Sequence, residues 1–185
     1  MTIAYAPTWK NSTVLWTQAI NSYPNHFYAY GTRASALQKA GDKAAAIADL
    51  DRCLELNPRF AQAWNNRGHL HQQLGNADQA LTDISTALRL NPSLTEGHIN
   101  IGVILLTQGR LEEAEQAFST AIELDDSNGL AYLNRGIVRG RLNNQQAALL
   151  DFGEGLNRVP NFAPGYRERA RLLEYMGYHD LAPRL

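Results

Sequence analysis

The chain has 185 residues, of which 44% are hydrophobic and 19% charged; that apolar share fills a core and excludes a disordered polyelectrolyte. Seventeen Lys and Arg against 18 Asp and Glu leave a formal charge of -1 with no basic block, which argues against a nucleic-acid or anionic-membrane partner. The single cysteine, Cys53, excludes an internal disulfide framework or multi-cysteine metal cluster. No apolar run reaches the roughly 18 residues of a membrane span, and the opening MTIAYAPTWK carries no basic-then-apolar signal, so no membrane insertion and a cytoplasmic location are expected.

In chain order, residues 1–26 form an N-terminal half unit with one helix over about 12–22, in which Trp16, Ala19 and Pro24 take places that recur downstream. Four units of 34 residues follow, at 27–60, 61–94, 95–128 and 129–162, and a partial fifth covers 163–185. The fourth slot of each unit holds Tyr30, Trp64, His98, Tyr132 and Tyr166; the eighth holds Ala34, Gly68, Gly102, Gly136 and Ala170. Gly41, Gly75, Gly109, Asn143 and Gly177 share the fifteenth slot, and alanine always fills the twentieth (Ala46, Ala80, Ala114, Ala148, Ala182). Large apolar residues take the twenty-fourth slot (Leu50, Ile84, Phe118, Phe152) and small ones the twenty-seventh (Cys53, Ala87, Ala121, Gly155).

This spacing predicts two helices per unit. Gly or Asn in the fifteenth slot supplies the left-handed residue that ends the first helix. Pro58, Pro92 and Pro160 stop the second, with Asp126 in the same slot of the third unit. Gly68, Gly102 and Gly136 cost helix stability, so they imply close approach of the paired helix near its alanine. One unit cannot bury its apolar face alone and must stack on its neighbours. In the fifth unit the first helix is expected over 164–176, followed by the stretch GYHDLAPRL, too short for a full second helix.

The seventh slot reads Arg33, Arg67, Ile101, Arg135 and Arg169, and the twenty-third reads Asp49, Asp83, Ala117 and Asp151. In the complete units arginine and aspartate occur together or not at all. Arg33–Asp49, Arg67–Asp83 and Arg135–Asp151 are therefore expected to be structural ion pairs bridging the two helices of a unit, because deleting one partner of a buried pair strands a charge while replacing both does not.

These residues resemble the tetratricopeptide repeat family, whose unit is 34 residues long with this pattern of small, aromatic and proline positions. The resemblance implies an all-α, right-handed superhelical solenoid of antiparallel helix pairs, with about four full repeats and a half repeat at each end, as a single domain over 1–185. It also implies that the first helices line a concave groove holding a protein or extended peptide. Asn66, Asn100 and Asn134 in the sixth slot would then form a ladder, similar to that in the repeats of O-GlcNAc transferase; an amide carries the donors and acceptor that grip a peptide backbone of any sequence. Around it would stand Asn65 and His69, then Ile99, Val103, Leu130, Leu133 and Ile137, then Arg141, Arg167 and Arg171, a run from polar through apolar to basic that suits a segment with apolar anchors and an acidic end. The alternative reading of the same residues is that Leu130 and Leu133 pack on an adjacent helix and the arginines are solvated. The carboxylate clamp of chaperone-binding members is not matched, since its positions hold Gly31, Ser35, Glu96 and Asn100, and only Asn66 fits.

Catalysis is not expected. His71 and His98 sit in slots filled by packed side chains, Cys53 occupies a small core slot without an adjacent base, and no phosphate loop or carboxylate dyad occurs. No metal or cofactor is expected either. The function read from the sequence is a non-enzymatic protein–protein interaction scaffold. The alternative is an assembly protein that self-associates through apolar terminal helices, where Leu172, Leu173, Tyr175, Met176 and Tyr178 lack a polar cap and Arg169 faces Leu185 in place of an aspartate.

Overall fold

The structure, a computed structural model, describes residues 8–178. Ten α-helices carry those residues and no strand occurs among them: α1 (Thr8–Ser22), α2 (Phe27–Lys39), α3 (Lys43–Leu56), α4 (Ala61–Gln73), α5 (Ala77–Leu90), α6 (Thr95–Thr107), α7 (Leu111–Leu124), α8 (Gly129–Arg141), α9 (Gln145–Arg158) and α10 (Ala163–Tyr175). α1 begins earlier than the apolar pattern suggested. The matching positions of Leu185 and Ala182, and most of the stretch after Met176, lie outside the described residues.

The turn chemistry follows from the fifteenth slot. Gly41, Gly75, Gly109 and Gly177 have φ between 76° and 88°, and Asn143 has φ 60°. This left-handed residue lets the next amide reach back to the helix, as Asp42 N–H does to Leu37 C=O at 3.0 Å and Asn144 N–H to Arg139 C=O at 2.8 Å. Two of the second helices, α3 and α9, are then capped by a short polar side chain; the Asp42 carboxylate accepts from Ala45 N–H at 3.0 Å and the Asn144 side-chain oxygen from Ala147 N–H at 3.4 Å.

Consecutive helices pair as α2–α3, α4–α5, α6–α7 and α8–α9. A Cβ on Gly68 would lie 2.7 Å from Ile84 Cγ1 and 3.0 Å from the Ala80 carbonyl oxygen, and one on Gly136 would lie 3.2 Å from the Ala148 oxygen. The paired backbones approach at the twentieth-slot alanine, which is the reason for glycine inside these helices. Gly102 differs, because the Phe118 ring fills that space at 2.8 Å.

The chain divides into two compact units, Met1–Pro92 and Ser93–Leu185. In the first, Leu50, Cys53, Ala63 and Leu70 centre a core with Phe27, Tyr30 and Trp64 packed against it. In the second, Phe118, Leu105 and Val138 form one cluster and Leu133, Phe152 and Leu156 another. Burial pushes the Cys53 thiol up from 9.0 to about 11, leaving it protonated and unreactive near neutral pH.

Candidate functional site

Three of the repeat arginines, Arg33, Arg67 and Arg135, are locked between helices. Arg33 donates through Nε and Nη2 to the two Asp49 oxygens at 2.7 Å each; Arg67 does the same to Asp83 at 2.7 and 2.8 Å, and Arg135 to Asp151 at 2.9 and 2.8 Å. The third nitrogen reaches the opposite way, to the preceding helix: Arg33 Nη1 to Thr17 Oγ1 at 3.2 Å, Arg67 Nη1 to Asp51 Oδ1 at 2.6 Å, and Arg135 Nη1 to Ser119 Oγ at 3.2 Å. One guanidinium thus ties three successive helices. The hydrogen bonds to the carboxylates raise the pKa values of all three arginines above their ordinary value.

The fourth-slot aromatic completes this unit of structure. Its ring lies beneath the arginine, with the Arg67 guanidinium 4.7 Å from the Trp64 ring centre and that of Arg135 5.6 Å from Tyr132. Its polar end satisfies the preceding turn: Trp64 Nε1–H donates to Pro58 C=O at 2.8 Å and Tyr30 O–H to Pro24 C=O at 3.1 Å. Where Asp126 replaces proline, Arg158 takes over, donating from Nε to the Asp126 carbonyl at 2.6 Å while stacking 4.4 Å over Tyr132. Arg139 is a member the sequence pattern did not single out; it joins Asp151 at 3.0 Å and Glu115 at 2.7 Å.

These contacts hold the first helices so that their other faces remain open. In the first unit a cleft of about 190 Å³ lies between α2 and α4, lined by Tyr28, Thr32, Ser35, Gln62 and Asn66. Gln62 Nε2 donates to Asn66 Oδ1 at 3.3 Å. In the second unit a larger cleft, about 410 Å³, opens between α8 and α10. Ile137, Phe152 and Leu172 form its apolar surface, with Arg141, Arg171 and Tyr175 around it. Of the residues expected to meet a ligand, the structure brings Ile137, Arg141 and Arg171 together here.

The others are scattered. Leu130 is 43% exposed on α8, Arg167 is exposed on α10, and Asn100 and Asn134 are half-buried on α6 and α8. Ile99 and Val103 pack in part against the Phe118 cluster. His69 is half-buried, its Nε2 2.7 Å from Gln73 Nε2.

Asn65 and Leu133, each 3% exposed, are buried and offer no surface to a ligand. For Leu133 the reason is steric. The fifth slot faces the small twenty-seventh slot of the paired helix: the space beside Gly31 is taken by Cys53 Sγ, and a Cβ on Gly155 would lie 2.6 Å from Leu133 Cγ. The two slots trade volume, so Leu133 belongs to the core. Leu172 and Tyr175, named from the sequence only as apolar residues of the last helix, shape the larger cleft together with Gly140, which was not singled out.

Among the described residues no group of three or more His, Cys, Asp or Glu could hold a metal ion, and no helix is long and apolar enough to cross a membrane.

Tandem helix pairs, three of the four pinned by an inter-helix arginine clamp and all leaving first-helix faces open, define an α-helical repeat protein. The sequence pattern of the tetratricopeptide repeat matches residues 32–93, 65–129 and 99–160, and the chain belongs to that family. Its fold is that of a protein–protein interaction scaffold. Among solved structures it is similar to YrrB, a tetratricopeptide repeat protein with an unusual peptide-binding site (20% identity, TM-score 0.71, covering 91% of this chain and 87% of that one). It is also similar to PilW, a type IV pilus biogenesis factor (19%, TM-score 0.84, 94% and 81%), and to pilF of Pseudomonas aeruginosa (17%, TM-score 0.84, 95% and 80%). These likenesses establish the fold. A search of curated protein sequences finds no match.

Proposed function

We propose that the chain is a non-enzymatic scaffold that holds an extended segment of a partner protein along the exposed faces of its first helices. The observation that carries this reading is the pair of clefts, α2–α4 in one unit and α8–α10 in the other, each opening between first helices with sixth- and ninth-slot side chains in its lining. Sixth-slot amides supply backbone recognition without sequence demand: Asn66 lines the first cleft, and Asn134 has no hydrogen-bond partner among the described residues. A peptide-binding site is also what YrrB, of the same fold, is described as having. Cytoplasmic residence belongs to the same proposal.

A second reading, self-association through the terminal helices, is favoured by the exposure of Val14 and Leu15 on α1 and of Tyr175 and Tyr178 at the end of α10. One experiment separates the two. Affinity capture from the native host is repeated with Asn66, Asn100 and Asn134 all changed to Ala, and light scattering follows both proteins across concentration. Scaffold function predicts loss of a specific captured partner with unchanged molar mass. Retained capture by the triple variant overturns the amide ladder, and a mass rising with concentration favours assembly.

A further inference from the structure

The α8–α10 cleft has a chemistry more particular than a general binding face. Ile137, Phe152 and Leu172 give it an apolar floor. Its volume, about 410 Å³, lies in the range of pockets that bury a ligand group. Two glycines of α8 border it, for different reasons. Gly136 is required by the packed Ala148 carbonyl and Phe152 ring, both 3.2 Å from the place of a Cβ. At Gly140 nothing stands closer than 4.0 Å. Glycine inside a helix is unfavourable relative to alanine, so Gly140 lacks a packing reason; what its missing side chain leaves is room in the cleft.

The edge of the cleft carries two arginines, Arg141 and Arg171, and one acid, Glu168, a net positive charge. Arg141 is exposed and has no hydrogen-bond or ion-pair partner among the described residues. Arg171 is held only by Glu168, 2.8 Å away, in an exposed i,i+3 pair, the kind that contributes little and is readily exchanged for another carboxylate. Arg167, one turn back on α10, is exposed and likewise unpaired among the described residues. Positive charge spread over Arg141, Arg167 and Arg171 suits several carboxylates along a chain better than one terminal carboxylate. Tyr175, 74% exposed, adds an aromatic wall at the mouth.

We infer that this cleft takes one large apolar side chain of an acidic, extended partner segment, the apolar group entering beside Gly140 and the flanking carboxylates meeting Arg141 and Arg171. The assignment rests on the scaffold reading and adds the identity of the segment to it.

The test titrates the full chain into a short fluorescein-labelled, C-terminally amidated peptide with one phenylalanine flanked on both sides by glutamates, read by anisotropy. Replacing the phenylalanine by alanine, or the glutamates by glutamines, is expected to weaken binding at least about tenfold, and the glutamate peptide to show the steeper loss with added salt. Gly140→Leu, which fills the cleft, and Arg141→Glu, which reverses its edge, should each weaken binding by a similar factor, with helix content checked by circular dichroism. Arg141 is exposed, so its variant reads binding even if Gly140→Leu disturbs packing. Parent peptide that fails to bind up to about 1 mM, or that binds both variants as tightly as the unaltered chain, overturns the assignment. If binding survives both variants but is lost on Asn134→Ala, the cleft assignment fails while the scaffold reading stands. Binding that appears only after residues 179–185 are deleted gives the cleft to the chain's own tail and overturns it as well.

Discussion

At the scale of single residues, the repeat arginines and their aspartates decide stability, and they are not equivalent. Asp83 is buried and serves only Arg67, which keeps a second acceptor in Asp51 at 2.6 Å. Asp151, 3% exposed, serves both Arg135 and Arg139. Breaking a buried pair by removing one partner costs about 3–5 kcal/mol. Asp151→Ala is expected toward the upper end of that range, Asp83→Ala at or below the lower end. Replacing Arg67 by Ile together with Asp83→Ala, the combination that Ile101 and Ala117 present in the third repeat, should recover at least half of the Asp83→Ala loss in urea denaturation. Equal losses in the single and double variants would mean that the pair is not what the aspartate supports.

That coupling was legible in the sequence because its absence is correlated: where arginine gives way to Ile101, aspartate gives way to Ala117. The third arm of the clamp was not. Asp51 lies 16 residues before Arg67 as Asp83 lies 16 after it, but Thr17 and Ser119 fill the equivalent place elsewhere, so no recurring residue type marked the contact. The burial of Leu133 was not legible for a related reason. It depends on the volume of the residue across the helix pair, Gly155, and a slot-by-slot pattern does not carry that pairwise quantity. The 34-residue period, the left-handed fifteenth slot and the helix pairing were readable because each is repeated and local.

At the scale of the helix, two glycines inside first helices, Gly68 in the eighth slot and Gly140 in the twelfth, should respond with opposite sign to the same substitution. Alanine relieves the helix of about 1 kcal/mol of glycine cost. At Gly68 the new Cβ would sit 2.7 Å from Ile84 Cγ1 and 3.0 Å from the Ala80 carbonyl oxygen. The side chain can shift but the carbonyl belongs to the paired helix, and forced separation of packed elements costs about 1–3 kcal/mol. Gly68→Ala should therefore be destabilising on balance. At Gly140 the nearest atoms, Ala148 Cβ and Leu172 Cδ1, are both 4.0 Å away, so Gly140→Ala should gain up to about 1 kcal/mol. Calorimetric melting of the two variants checks this; a stabilised Gly68→Ala would show that close approach at the twentieth-slot alanine is not what demands glycine.

At the scale of the whole chain, stability in stacked repeats is close to a sum of local terms and nearest-neighbour terms. The clamps define which neighbours those are. Arg33 joins α1, α2 and α3 through Thr17 and Asp49, whereas Arg135 and Arg139 join α7, α8 and α9 through Ser119, Glu115 and Asp151. The first set lies in the unit Met1–Pro92 and the second in Ser93–Leu185. Local opening energies follow such cooperative groups. In hydrogen exchange, Asp151→Ala should lower protection across α7–α9 while leaving α1–α3 near the unaltered level, and Asp49→Ala should do the reverse. A uniform loss over all the helices from either substitution would mean that the chain opens as one cooperative block, and that the arginine clamps set its total stability without setting where it yields.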